Sequence, residues 1–220
     1  MNKVKLLAMT QPEKDSGIPD SSGLIAYCAR VSNPDNQGNY ETAPRLIDYL
    51  IKHAHWSPLE MVNLVFEIDC PRDIARQILR HRSFSFQEFS QRYAETTQLG
   101  MTTREFRLQD EKNRQNSIEM EDEELKNQWE AKQKQIQHEI VMAYKWALEN
   151  NMAKECARVI LPEGMQMTRM TMNGTLRSWL HYLDLRQANG TQKEHTEIAM
   201  LMKPKISKKV PIVAKWINRT

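Results

Sequence analysis

A two-residue alternation that runs straight into a helical pattern limits the folds open to this chain more than any other stretch. Between residues 61 and 69, Val62, Leu64, Phe66 and Ile68 fall on one side, with Asn63 and Glu67 on the other. Side chains of a strand point to opposite faces in turn, so this period predicts a strand with one buried face. Asp69 offers a cap and Pro71 a first-turn residue for a helix over 71–82. Ile74, Ala75, Ile78 and Leu79 form its apolar arc, while Arg72, Asp73, Arg76, Gln77, Arg80 and His81 fill the other side. Gln77, Arg80 and His81 stand at i, i+3 and i+4, so they share one surface. The helix therefore delivers a hydrogen-bonding, cationic patch to a cleft edge. Its cations lie near the C-terminal end, where the helix dipole favours them.

The same two periods organise the rest. A strand is expected at 4–9, then a short helix capped by Ser21 or Ser22. A loop over 33–39 leads to a helix capped by Thr42, with Pro44 in its first turn. Residues 53–60 break that helix in a turn. Residues 96–116 show no firm period and are expected to be irregular. A long helix over 119–150 begins in an acidic run suited to a helix N-terminus. Leu125, Trp129, Ile136, Ile140, Tyr144 and Leu148 make its stripe. Helical residues 152–161 stop before Pro162. A short strand at 168–172 precedes a helix over 174–187, which sets Arg177 and His181 one turn apart. A last helix over 192–202 is ended by Pro204. With no repeat and no low-complexity segment, 1–220 is expected to be one domain.

Composition narrows the chemistry. At 220 residues and 40% hydrophobic content, the chain can bury a core without a disulfide or metal staple. A net charge of +3 suits anionic ligands but is too mild to imply a nucleic-acid partner. Cys28, Cys70 and Cys156 are odd in number and widely spaced, which reads as reduced thiols in a cytoplasmic protein. The N-terminus is too poor in apolar residues for a signal peptide, and no apolar run approaches a membrane span. Seven glycines and no Gly-x-Gly-x-x-Gly argue against a Rossmann dinucleotide site. No Gly-x-Ser-x-Gly elbow supports a hydrolase, and no Cys beside a His supports a thiol nucleophile. His53, His55 and His81 lack the Cys or carboxylate spacings of a metal centre, so no metal is expected.

Residues 80–93 concentrate the remaining signal: Arg80, His81, Arg82, Gln87, Glu88, Ser90 and Arg92, interleaved with Phe84, Phe86, Phe89 and Tyr93. Guanidinium forks donate in pairs to phosphates and carboxylates. Alternating aromatics suggest a segment anchored in the core with its polar side chains in a cleft. Two uses are open: an enzyme site for an anionic ligand, or a nucleotide- or nucleic-acid-binding module without catalysis. The fixed order favours the first, with Arg80-His81-Arg82, seven residues, Ser90 and then Arg92.

That order resembles the signature of the flavin-dependent thymidylate synthases. Further segments resemble the same family: Ala29-Arg30-Val31-Ser32, His55-Trp56-Ser57-Pro58-Leu59-Glu60, Arg158-Val159-Ile160-Leu161-Pro162, and Leu176-Arg177-Ser178-Trp179-Leu180-His181 with Leu185-Arg186. Gln192 and Glu194 continue the match. The resemblance implies an α+β fold, a mixed or antiparallel sheet packed with helices, assembled as a homotetramer with sites between subunits. It implies conversion of dUMP to dTMP, with methylenetetrahydrofolate as carbon donor and NADPH reducing bound FAD. By the same resemblance FAD would be held by Ser32, His55, Ser57, Glu60, Arg80, His81, Arg82, Gln87, Arg177 and His181. Gln77, Arg80, Glu88, Ser90, Arg92, Arg158 and Arg186 would hold dUMP. Arg92 and Arg158 suit its phosphate, and Arg186 and Ser90 would serve catalysis. Gln87 stands where many members carry Asn.

Overall fold

The computed structural model describes residues 2–95 and 98–218. Strand β1 (Lys3–Met9) edges a four-stranded antiparallel sheet whose centre is β2 (Asn63–Pro71) and β6 (Met167–Thr175), with β3 (Phe84–Glu88) on the far edge. A separate ribbon pairs β4 (Arg107–Gln109) with β5 (Ser117–Glu119). The helices are α1 (Ser21–Ala29), α2 (Ala43–Lys52), α3 (Arg72–Ile78), α4 (Glu123–Glu149), α5 (Lys154–Ala157), α6 (Leu176–Gln187), α7 (Lys193–Lys209) and α8 (Ala214–Ile217). Single 3₁₀ turns include Ser57–Met61 and Arg158–Ile160. This is an α+β arrangement.

The period-two run does what its pattern requires. Leu64, Phe66, Ile68 and Cys70 of β2 are completely buried, and the alternate residues are half-buried. Helices α6 and α7 contribute Trp179, Tyr182, Ile198 and Met202 to the same core. The Trp179 ring centroid lies 4.8 Å from Phe66 and 4.7 Å from Phe84, both edge-on. Its Nε1 donates to the carbonyls of Leu64 and Gly174 at 3.2 and 3.1 Å, so the buried indole leaves no polar atom unpaired. Gly174 faces Phe84 across the β3–β6 ladder. A Cβ there would stand 2.3 Å from Phe84 Cδ1, so this close approach demands glycine.

Several boundaries depart from the sequence expectation. The helix expected over 71–82 ends at Ile78, because the N–H groups of Arg80 and His81 turn back to the carbonyls of Gln77 and Ile78. The chain then enters β3, a strand that aromatic alternation alone did not identify. Asp69 does not cap α3; it lies within β2 and takes a bidentate pair from Arg169 at 2.7 and 2.8 Å. Asp20, not Ser21 or Ser22, caps α1 by accepting from the Gly23 N–H at 2.7 Å. Thr42 precedes α2, but its hydroxyl accepts from Arg30 instead of capping. Pro204 sits inside α7 and does not end it. Buried Met202 and Ile206 bracket that proline, and their packing outweighs one lost backbone hydrogen bond. The stretch 96–116 is not wholly irregular, since it holds β4; its residues 96 and 97 lie outside the described set. Along α4, Tyr144 is buried but Leu125, Trp129 and Ile136 are exposed, so the expected stripe is only partly core.

Candidate active site

The early end of α3 sets up the site. Its final turn leaves His81 facing α6, one turn before Phe84 enters the sheet. Arg186, in the last turn of α6, donates from Nε to His81 Nε2 at 2.9 Å. His81 Nε2 is therefore bare and the ring neutral, with its proton on Nδ1. Burial first, and then the Arg186 charge, pull the His81 pKa down to about 4. Burial, with Arg80 adding to it, also lowers the pKa of Arg186. The Nη groups of Arg186 make no hydrogen bond among the described residues. They are donors held ready on a partly buried cation.

Behind His81 runs a hydrogen-bonded chain. The Tyr182 ring lies 4.9 Å from the His81 ring. The Tyr182 hydroxyl is 2.9 Å from His195 Nε2, and His195 Nδ1 is 3.3 Å from Gln77 Oε1. Gln77 Nε2 donates to Gln192 Oε1 at 2.7 Å, and Gln192 Nε2 donates to Glu194 Oε2 at 2.9 Å. Glu194 takes Arg107 Nη2 at 2.5 Å and lies 3.5 Å from Arg104 Nε. Burial alone would raise the Glu194 pKa, but its own backbone N–H, Arg107 and Arg104 together lower it. Arg104 also forks onto Asp73 at 2.7 and 3.2 Å.

A second group lies where the Ser57–Met61 turn meets α6. Arg177 pairs with Glu60. One helical turn on, the His181 ring packs edge-on against Trp56 at 4.5 Å. Burial, and then Arg177, lower the His181 pKa. A cavity of about 350 Å³ opens beside them, lined by Trp56, His181, Asp184, Gln187 and Trp216 among others. Ser57 is exposed on the same turn, and exposed His55 stands 6.1 Å from the Tyr49 ring. Ser32 is exposed just beyond α1, and Gln87 is exposed on β3. Arg80 and Arg82 are exposed, and no carboxylate pairs with either among the described residues.

A third group surrounds Glu88. Arg72 and Arg76 each pair with it at 3.2 Å, and Thr168 donates to it at 3.0 Å. Glu163 neutralises the same two arginines. Ser90 Oγ accepts from the Arg92 N–H at 3.3 Å, while the Arg92 side chain pairs with Glu155 at 3.1 Å. Arg158 occupies the turn after α5. Among the described residues no hydrogen bond, ion pair or ring contact joins Ser90, Arg92 or Arg158 directly to His81 or Arg186.

Of the residues expected from sequence, His81 and Arg186 meet, Gln77 joins the chain behind them, and Glu60 and Arg177 pair one turn from His181. The sequence reading did not reach Tyr182, His195, Arg104 or Arg107. Arg104 and Arg107 fall in the segment without periodicity. His195 is one residue past Glu194, but a single histidine on an apolar helix face carries no signal of its own.

The chain is similar to several known proteins. Residues 14–212 match the family model described as thymidylate synthase complementing protein. A probable flavin-dependent thymidylate synthase of Paramecium bursaria Chlorella virus 1 is 45% identical over 214 residues, covering 97% of this chain and 98% of its own. A flavin-dependent thymidylate synthase of Synechocystis is 46% identical, covering 96% of this chain and 97% of its own. In structure, the UMP/dUMP methylase PolB of Streptomyces cacaoi, bound with 5-Br dUMP, superposes with a TM-score of 0.80 at 22% identity, over 98% of this chain and 94% of that one. This last likeness is one of fold.

Proposed function

The chain belongs to the flavin-dependent thymidylate synthases, and from that premise we propose that it converts dUMP to dTMP. Methylenetetrahydrofolate gives the carbon, and NADPH reduces bound FAD. One observation carries the reading: Arg186 and His81, 105 residues apart in sequence, meet at 2.9 Å with the Arg186 Nη groups unspent.

The donor set fits FAD. Exposed Arg80 and Arg82 without carboxylate partners suit a pyrophosphate. His181 and Trp56 offer ring surfaces, and Arg177, Glu60, Ser57, His55, Ser32 and Gln87 offer polar contacts around them. Bound there, FAD supplies the hydride.

We assign Ser90 and Arg186 to catalysis, the charge-stabilising part to Arg186. Its Nε is committed to His81, so its orientation is fixed before substrate arrives. Its Nη groups then donate to the uracil carbonyl oxygens and stabilise negative charge as it develops on the ring. His81, neutral and bare at Nε2, serves as the fixed acceptor that aims this cation. Gln77 and Arg80 hold the nucleotide from α3 and the turn after it. Glu88, oriented by Arg72 and Arg76, and Ser90 hold it from the segment after β3, and Arg92 and Arg158 take the phosphate. No residue acts as a covalent nucleophile. In keeping with that, burial pushes the Cys70 thiol up to about 12, far from a reactive thiolate.

We assign the working form as a homotetramer with sites between subunits. Among the described residues no hydrogen bond, ion pair or ring contact joins Arg92 or Arg158 to Arg186, and Arg92 pairs with Glu155 instead, so we assign phosphate contacts to a neighbouring copy. Trp146 at 62% exposure and Val159 at 84% are large apolar residues that a partner would cover. No helix among the described residues is long and apolar enough to cross a membrane, and we place the enzyme in the cytoplasm.

Purified protein should show an oxidised-flavin spectrum that bleaches when NADPH is added without oxygen. A colourless protein that fails to take up FAD sinks the proposal. Arg186→Ala should keep the flavin and lose dTMP formation; unchanged turnover removes Arg186 from the site.

A further inference from the structure

We propose that His195 is a positioning residue which, with Gln192 and Glu194, fixes the end of the Gln77 amide that faces the nucleotide. This rests on the reading above that Gln77 contacts dUMP.

The argument is one of proton order. Glu194 can only accept, because its ionised carboxylate is held by Arg107 and Arg104. Gln192 must therefore turn its NH₂ toward Glu194 and its carbonyl toward Gln77. Gln77 must then donate from Nε2 to Gln192 and present Oε1 to His195. His195 Nδ1 must carry the proton, which leaves Nε2 to accept from the Tyr182 hydroxyl. Reversing any amide sets two acceptors or two donors face to face. His195 is completely buried, and an unmatched polar pair there has no water to turn to.

Of these residues, histidine alone can switch its donor and acceptor atoms without rotating, through its tautomers. The carboxylate at one end thus selects the tautomer at the other. Burial, then Arg186 and His81, pull the His195 pKa down to about 3, so the ring stays neutral and keeps that tautomer at neutral pH. Gln77 is left with one N–H and one lone pair, in fixed places, for a ligand. Glu194 has no role at the reacting atoms in this scheme; it acts through Gln192 and Gln77.

Two measurements test this on the FAD-loaded protein. Nitrogen-15 NMR of the histidine rings reads the tautomer directly, without reference to turnover. Calorimetric titration with dUMP, beside melting curves, reads the consequence in His195→Asn, His195→Gln and Glu194→Gln. Asparagine puts an amide donor where Nδ1 stands, whereas glutamine puts one nearer Nε2. We expect a protonated Nδ1 and bare Nε2 on His195 in the wild type. Affinity for dUMP should stay within about threefold in His195→Asn and fall roughly tenfold or more in His195→Gln and Glu194→Gln, as loss of a matched buried hydrogen bond implies. Flavin affinity should not change. A wild-type His195 protonated at Nε2 overturns the proposal, as does equal dUMP affinity in all three variants. If the wild type binds no dUMP, the reading of Gln77 as a nucleotide contact fails; the tautomer result would then still stand or fall separately.

Discussion

Replacing Gly174 by alanine puts a number on how tightly the sheet carries the site. The added Cβ would lie 2.3 Å from Phe84 Cδ1, 2.4 Å from Cε1 and 3.3 Å from Cγ. Carbon atoms in contact prefer about 3.5–4.0 Å, so the overlap exceeds about 1 Å at two atoms. Phe84 has nowhere to retreat. Trp179 lies 4.7 Å away and Tyr182 5.9 Å away, centroid to centroid. Gly174 and Phe84 are paired across the β3–β6 ladder, so the backbones cannot separate without breaking it. Overpacking typically costs about 1–3 kcal/mol, and a site pinned on both sides belongs at the upper end. For a chain of this size that is a fall in Tm of roughly 6–12 °C. The Phe84 N–H also binds the His81 carbonyl at 3.3 Å, so a displaced Phe84 disturbs His81 and with it Arg186; dUMP affinity should fall as well. Denaturant titration and calorimetry measure the stability. In the double variant with Phe84→Leu the two losses should be less than additive, by about 1 kcal/mol or more. A Gly174→Ala protein that melts within about 1 °C of wild type would refute the reasoning, because it would mean the two strands are not held at this spacing.

Other perturbations follow from the same geometry. Arg177→Ala should weaken FAD binding in a fluorescence titration while leaving Tm almost unchanged, since its ion pair with Glu60 is partly exposed and such pairs contribute only about 0–1 kcal/mol; an unaltered flavin affinity removes the pair from the site. Acid should weaken the fold through His195. Its folded pKa of about 3 lies below the ordinary 6.5, so the unfolded chain binds the proton first. That stability is present above pH 6.5 and is lost as pH falls toward 3, with a slope of at most about 1.4 kcal/mol per pH unit. Denaturant titrations between pH 7.5 and 4.5 should show a flatter profile for His195→Asn, and an identical profile would contradict the assignment. Trp146→Glu combined with Val159→Asp should lower the assembly mass seen by light scattering, and an unchanged mass would clear that surface of an interface role.

The legibility of the fold in the sequence divides along physical lines. Strand β2 was legible because its pattern is enforced by burial on one face, and every second residue there had to be apolar. The start of α4 was legible to within a few residues for a different reason, the acidic run that suits a helix N-terminus. Boundaries set by competition were not. Asp69 is a good cap in isolation, yet Arg169 from β6 claims it, and no local pattern announces a partner 100 residues away. Pro204 is a helix stop on local grounds alone, and burial on both sides overrides it. Strand β3 hid behind the signature: only Phe84 and Phe86 alternate, with exposed Ser85 between them, and so short a run sets no clear period.

The site divides in the same way, and the division has a cause. Arg80, His81 and Arg82 stand out in the sequence by their fixed order with Ser90 and Arg92, and Arg186 stands out through the Leu185-Arg186 segment that resembles the family. The proton order that orients them does not stand out. Gln77 and Gln192 are legible as residues and His195 is not, but the meaning of all three lies in which atom donates, which depends on neighbours brought together only by packing α3 against α7. Arg104 and Arg107 looked like loop residues because their partners, Asp73 and Glu194, lie 31 and 87 residues away. A carboxylate anchored by two arginines can set the direction of a neutral hydrogen-bond chain at a distance. In the proposed site, the part assigned to substrate is therefore written in charge, and the part proposed to aim it is written in the order of buried protons.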